Sequence, residues 1–367
     1  MSETKKLGFG LMRLPKKLTG IDITQVKEMV DLFMDAGFTY FDTAYIYPGS
    51  ESAAKKALVE RYDRERFTLA TKINAAIPGL TEKMVKSQFE TSLARTGAGY
   101  FDYYLLHTLM DKNTRKYDRF DLWNFAKEKK AQGLVRNYGF SFHDGPQLLD
   151  RLLTEHPDVD FVQLQINYAD WENEKILSRR NYEVARAHGK QIVVMEPVKG
   201  GKLADPPKQV KALMKTYAPD SSYASWAIRF AASLDGVLTV LSGMSNVAQM
   251  KDNLSFMQDF KPLNAEEQAI IRKAQEIMKQ SAAVSCTGCG YCKAGCPKGI
   301  AIPDVIEALN LHLVSGQTRA GKEAYTRLLE SGATCASACI GCKKCEGTCP
   351  QHLSITDALQ RAAALYE

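Results

Sequence analysis

The run Leu7-Gly8-Phe9-Gly10-Leu11-Met12-Arg13-Leu14-Pro15 carries the first apolar strand pattern of the chain and separates two ways of arranging repeated strand-helix units. An open dinucleotide-binding sheet places Gly-x-Gly-x-x-Gly between its first strand and a helix; the tight turn, the approach to the pyrophosphate and the helix-strand packing each need a glycine. Here the third glycine is missing and Gly10 leads into Leu-Met-Arg-Leu-Pro. A closed barrel of parallel strands is the architecture that remains.

Seven further short apolar runs follow: Tyr40-Asp42, Phe67-Lys72, Tyr103-His107, Tyr138-Ser141, Phe161-Gln165, Gln191-Glu196 and Val237-Ser242. Amphipathic helical stretches separate them, among them Thr24-Ala36, Ser50-Arg61, Met84-Thr96, Leu122-Gln132, Pro146-Thr154, Ile176-Ala187 and Tyr223-Ser233. Gly37, Gly133 and Gly189 stand where helices stop before the next strand. Alternation of this kind predicts an α/β fold, a (β/α)8 TIM barrel. A helical segment, Asn264-Ser281, leads out of it, so the expected division is a barrel over residues 1–282 and a small, mainly helical domain over 283–367.

Composition narrows the function. Of 367 residues, 45% are apolar and 25% charged, with no run of about 18 uncharged apolar residues to cross a bilayer. The formal charge of +6 is dispersed, as in Asp63-Arg64-Glu65-Arg66, without a basic stripe carrying aromatics, so no nucleic-acid partner is expected. The first ten residues have no secretory h-region, which predicts a cytoplasmic protein. All nine cysteines lie between Cys286 and Cys349, and clustering of that kind in a reducing compartment points to metal ligation rather than disulfides.

Barrel active sites are built at the C-terminal ends of the strands. The second strand ends in Phe41-Asp42-Thr43-Ala44 with Tyr47 just beyond, the third in Thr71-Lys72 and the fourth in Leu105-Leu106-His107. Singly, such a histidine is a satisfied loop residue, such a lysine is solvated and an Asp-Thr pair caps a helix. Together on one rim they form an acid-base group, in which a buried ammonium lowers a phenol pKa, a carboxylate holds the ammonium and an imidazole orients a carbonyl. The run Asp42-Thr43-Ala44-Tyr45-Ile46-Tyr47, with Lys72 and His107, resembles the catalytic tetrad of the aldo-keto reductases over roughly residues 5 to 258. The resemblance implies Tyr47 as general acid, Lys72 and Asp42 tuning it, and His107 positioning the substrate oxygen. It also implies a small carbonyl or alcohol substrate.

The same resemblance implies a nicotinamide cofactor site. Its candidate residues are Gly10, Met12, Asp42, Ser141, Gln163, Met195, Pro197, Gly200, Ser242, Gly243, Met244, Gln249 and Asn253. Phe142 stands where the family has an asparagine beside Ser141, and Met195 stands where many members have a stacking aromatic. The glycine-rich Lys199-Gly200-Gly201-Lys202 reads equally as a pyrophosphate loop or a plain turn. Gly243 and Gln249 replace the basic residues that grip a 2′-phosphate, so NAD(P)H is expected with a lean toward NADH, although Lys199, Lys202 or Lys251 can substitute.

Cys286-x2-Cys289-x2-Cys292-x3-Cys296-Pro297 recurs 53 residues later as Cys339-x2-Cys342-x2-Cys345-x3-Cys349-Pro350. This is the run of two-cluster ferredoxins, in which the fourth cysteine ligates the other cluster. Two [4Fe-4S] clusters are expected: Cys286, Cys289, Cys292 and Cys349 around the first, and Cys339, Cys342, Cys345 and Cys296 around the second. Paired Cys-x2-Cys groups also bind zinc, the bland alternative. Cys335 is left over as a spare thiol. The helical stretch Asp304 to Glu330 between the motifs resembles helical ferredoxin-like domains. Clusters pass single electrons and a nicotinamide exchanges a hydride. Three readings stay open: structural or sensing clusters beside a carbonyl reductase, clusters fed by a ferredoxin or flavoprotein partner, or an electron-transfer subunit with a vestigial barrel site.

Overall fold

A computed structural model of the chain describes residues 5–18, 20–279, 283–315 and 317–367. Eight parallel strands close into a barrel: β1 Leu7–Gly10, β2 Tyr40–Asp42, β3 Thr68–Ile73, β4 Phe101–Leu109, β5 Val135–Phe142, β6 Phe161–Gln165, β7 Gln191–Met195 and β8 Val237–Ser242. Each pairs with its sequence neighbours, and β1 closes the ring between β2 and β8. The fold is the expected (β/α)8 barrel. β4 runs two residues past His107, so that histidine lies within the strand and not at its tip.

Side-chain alternation along a strand sorts this barrel into an outer and an inner set. Phe9, Phe41, Leu69, Leu106, Phe140, Val162, Leu164, Ile192 and Val194 join the large core under the surrounding helices. Tyr40, Ala70, Leu105, Phe161, Val193 and Leu241 form a separate buried cluster, the apolar floor inside the barrel. Space there is tight: a Cβ on Gly139 would collide with the Phe161 carbonyl, which is why β5 carries glycine opposite a phenylalanine. Two residues farther along each strand, the next inward positions are Asp42, Lys72, His107, Ser141, Gln163, Met195 and Gly243. An apolar floor with a polar layer toward the C-terminal rim is what locates the site.

Contacts divide the chain into two compact units, one made of the chain up to Val198 with Tyr217–Ile271, the other of Lys199–Thr216 with Arg272–Glu367. The second unit packs helices Ile302–Ser315, Thr318–Glu330 and Ile355–Tyr366 around Ile302, Val305, Ile306, Leu309, Tyr325, Leu359 and Tyr366. Two one-turn helices, Tyr291–Ala294 and Lys344–Gly347, carry Cys292 and Cys345 inward. The end of the predicted Asn264-Ser281 helix, and the 282/283 division itself, fall on residues 280–282, outside the described residues; the helix described there is Ala265–Lys279. No described helix is long and apolar enough to cross a membrane.

Candidate active site and cysteine cavities

Lys72 is completely buried. Its ammonium donates to Asp42 Oδ1 at 2.6 Å and to the Thr43 carbonyl at 2.7 Å, and lies 5.2 Å from the centroid of the Tyr47 ring. The Tyr47 ring meets His107 edge-on, centroids 5.8 Å apart. Four residues that lie between 5 and 35 positions from their nearest tetrad neighbour in the chain are thus brought together by β2, β3, β4 and the loop after β2.

Burial opposes both charges of the ion pair, raising the Asp42 carboxyl and lowering the Lys72 ammonium, while each partner pulls the other back. Removing one partner of such a pair leaves the other stranded. Lys72→Met is expected to cost about 3–5 kcal/mol of stability, with the penalty growing as pH rises above about 4, because the isolated buried carboxyl is then forced to ionise. Urea denaturation of the variant at pH 4 and pH 8 measures it; equal midpoints with wild type at both pH values would show that the pair carries no such role.

Burial, then the nearby Lys72 charge and then His143, hold the His107 imidazole well below its usual range, so it stays neutral. Its Nδ1 has no hydrogen-bond partner among the described residues. The backbone around it is constrained: Tyr117 donates its hydroxyl to the His107 carbonyl, and Thr108 takes φ +60°, rare for a β-branched residue. The Thr108 N–H donates to Ser141 Oγ at 2.7 Å, tying β4 to β5 at the height of the site.

Gln163 and Met195 meet on neighbouring strands. Gln163 Nε2 donates to Met195 Sδ at 3.4 Å, and Gln163 Oε1 is buried without a partner among the described residues. A buried acceptor left open costs about 1–3 kcal/mol unless a ligand donor fills it. Around β8, Ser242 Oγ and Asn253 Oδ1 lie 2.7 Å apart, and Gln249 Oε1 accepts from the Ser245 N–H. Asn246 caps helix Val247–Met257 by accepting from the Gln249 N–H. Gly243 and Met244 therefore lie in the turn after β8, and Gln249 and Asn253 on the helix that follows it. Gly10 lies against Ser242, Met12 is half-buried in the turn after β1, and Pro197 is buried after β7.

One cation escaped the sequence reading. Arg13, next to Met12, ion-pairs with Glu196 at 3.8 Å and packs beside Gly243. Only its position directly after a candidate contact residue could have flagged it. Trp171 packs against Tyr182 and Phe230, and Tyr168 is fully buried beside Phe230; both are packing anchors.

In the second unit, Cys286, Cys289, Cys292 and Cys349 line one small cavity, together with Ile302, Ile306 and Leu353. Cys296, Cys339, Cys342 and Cys345 line another. Each triplet is thus completed by the distal cysteine of the other motif. Cys335 lines neither cavity; its Sγ lies 3.3 Å from Ser337 Oγ. Gly200, a candidate pyrophosphate contact, sits in this unit: its φ is +66°, and a Cβ there would collide with the carbonyl of Thr287, inside the first cysteine triplet. Glycine at 200 is accounted for by that close approach.

A parallel eight-stranded barrel with a buried ammonium, a phenol and a neutral imidazole at its rim has the apparatus of a barrel oxidoreductase. Comparison names the family: residues 6–276 match the Aldo/keto reductase family, and the chain belongs to it, while residues 285–355 match the 4Fe-4S dicluster domain. A similar curated protein is an aldo-keto reductase of Strobilurus tenacellus, 30% identical over 215 residues, which are 55% of this chain and 60% of that one. Another, from Mycolicibacterium smegmatis, is 25% identical over 43% of this chain and 54% of its own. The chain thus spans about half the length of several curated relatives it matches. Among solved structures, the holo form of an aldo-keto reductase from Bacillus halodurans aligns with TM-score 0.57 and 26% identity, covering 73% of this chain and 91% of that one. An aldo/keto reductase from Klebsiella pneumoniae in complex with NADP and acetate aligns with TM-score 0.60 and 20% identity over 74% and 91% of the two chains, a likeness of fold.

Proposed function

We propose that this chain is an NAD(P)H-dependent oxidoreductase that interconverts a small carbonyl compound and an alcohol, with a barrel domain over residues 1–282 and a two-[4Fe-4S] domain over 283–367. The observation that carries this reading is the Lys72 ammonium, without solvent exposure, held by Asp42 at 2.6 Å and facing the Tyr47 ring. A bound dihydronicotinamide supplies a hydride to the carbonyl carbon. Tyr47 donates the proton to the oxygen, Lys72 stabilises the phenolate left behind, Asp42 holds Lys72, and neutral His107 hydrogen-bonds the substrate oxygen. Gln163 Oε1, buried without a partner among the described residues, would accept from the carboxamide of a bound nicotinamide, with Ser141 and Met195 as the neighbouring residues that would help hold it. Gly10, Met12, Pro197, Ser242, Gly243, Met244, Gln249 and Asn253 line the remainder of the nucleotide groove.

The lean toward NADH rests on the absence of a cation at positions 243 and 249, and Arg13 is the cation that packs on Gly243. Anaerobic fluorescence titration of the iron-loaded protein with NADH and with NADPH, followed by nucleotide oxidation against a panel of small aldehydes and ketones, tests the reading. NADH is expected to bind more tightly, and Gln163→Leu to weaken it about tenfold, the scale of one buried hydrogen bond. Failure of a folded sample to bind either nucleotide would overturn it.

The eight cysteines are proposed as ligands of two [4Fe-4S] clusters in the crossed set given above. Four thiols line each cavity, three from one motif and one from the other, which suits a cubane with iron at several corners. We place the protein in the cytoplasm, where such thiols stay reduced. The reading in which a ferredoxin or flavoprotein partner exchanges electrons with the clusters also has support, since Cys342, on the second cavity, is exposed.

A further inference from the structure

We infer that the outer edge of the second cysteine cavity is the docking surface for a small acidic ferredoxin. The inference rests on the proposed ligand set and assigns to it the place where single electrons enter or leave.

Exposure differs between the two cavities. Cys292, Cys345 and Cys349 are buried, Cys286, Cys289, Cys296 and Cys339 are half-buried, and Cys342 alone of the eight is exposed. Electron tunnelling weakens steeply with distance, so a protein partner gains most by approaching at Cys342. Charge differs in the same sense. The first cavity is lined by no charged side chain, whereas the second is lined by Lys298 and Lys343, both exposed, with exposed Lys344 adjoining. None of these three lysines has a carboxylate within 4 Å among the described residues. Lys293, by contrast, is neutralised by Asp304 at 2.9 Å. The nearest acid in sequence, Glu346, is turned to the Thr356 N–H and hydroxyl at 2.9 and 2.7 Å.

An apolar contact completes the surface. Ile340 lines the same cavity and is 61% exposed, the second most exposed of the large apolar side chains among the described residues. Lys343 holds φ +55°, an uncommon conformation for a side-chain-bearing residue, at the turn that carries Cys342 into helix Lys344–Gly347. An exposed isoleucine sharing a cavity edge with exposed lysines that form no ion pair within 4 Å, although the Lys343 charge also acts on Glu346, has the chemistry of a transient electron-transfer contact at a redox centre. Such contacts are small, and charge complementarity governs their rate more than their affinity. Cations here select an acidic partner. In the step, the reduced ferredoxin loses one electron and the second cluster gains one; no bond or proton moves.

The test uses the full-length iron-loaded protein, a small acidic ferredoxin as reductant and stopped-flow bleaching of the cluster absorbance. The second-order rate constant is expected to fall about tenfold or more in Lys298→Glu/Lys343→Glu, and to an intermediate value in Lys298→Gln/Lys343→Gln. It should fall with added salt in wild type and lose that dependence in the charge-reversed variant. Iron content, the EPR spectrum of the reduced clusters and photoreduction by a neutral deazaflavin should be unchanged in both variants. Equal rates for wild type and both variants with clusters intact would overturn the docking surface while leaving the ligand set standing. A wild-type protein that takes up no iron-sulfur clusters would overturn the ligand set, and the docking surface with it.

Discussion

Replacing Tyr47 with phenylalanine is expected to lower kcat for carbonyl reduction by about 10²–10⁴-fold, the usual contribution of a positioned general acid, with little change in nucleotide affinity. The substitution removes one oxygen and keeps the ring, so the edge contact with His107 at 5.8 Å and the Lys72 ammonium at 5.2 Å from the ring stay filled. The buried Asp42–Lys72 pair is untouched, so stability should change far less than in Lys72→Met. What is lost is the proton that must reach the carbonyl oxygen as hydride reaches the carbon. His107 cannot replace it: burial and the Lys72 charge keep its imidazole neutral, a weak acid that hydrogen-bonds but does not readily protonate an alkoxide. Single-turnover kinetics with bound NADH separate this step from product release. An unaltered single-turnover rate in a folded Tyr47→Phe sample would falsify the assignment of Tyr47.

How far the sequence reaches can be traced through particular residues. The barrel was legible because short apolar strands alternate with amphipathic helices, and because Gly8-Phe9-Gly10 lacks the third glycine of the rival fold. Asp42, Lys72 and His107 were legible as polar residues in or near the last positions of apolar strands, although the fourth strand runs two residues past His107, and their approach follows from the period of two along each strand. Helix Asp111–Arg119 was not foreseen: seven of its nine residues are Asp, Lys, Arg or Asn, and its buried face, Asn113, Thr114 and Tyr117, carries a single large aromatic and no aliphatic residue to mark it. Gly200 and Arg13 illustrate a different limit. A glycine that makes room for a carbonyl and a glycine that makes room for a phosphate look identical in sequence, and only the packing on Thr287 distinguishes them. Arg13 gains meaning only through Gly243 and Glu196, more than 180 residues away in the chain.

Pairwise removal of cysteines is expected to have the second large effect and to establish which four thiols share a cluster. If the set is crossed, Cys289 and Cys349 ligate the same cluster, so Cys289→Ser, Cys349→Ser and the double variant should each lose about four of eight irons, because removing a second ligand from an already lost cluster costs nothing more. Cys289→Ser/Cys296→Ser should instead lose nearly all iron, although both residues come from the first motif. An uncrossed set predicts the reverse for the two doubles. The cavities argue for the crossed outcome: Cys349 lines the void with Cys286, Cys289 and Cys292, while Cys296 faces the other with Cys339, Cys342 and Cys345. Crossing also bears on folding, since the first cluster then ties together segments about 60 residues apart and the second segments about 45 apart, each closing a loop that the unfolded chain would leave open. The module built around Ile302, Leu309 and Tyr325 is small, and its two cavities hold cysteine side chains where a larger domain would have apolar ones. Loss of either cluster should therefore lower the unfolding temperature of this unit as well as its iron content, and melting followed by circular dichroism on the four variants would detect it. Full iron retention in Cys289→Ser/Cys296→Ser would exclude both the crossed and the uncrossed sets.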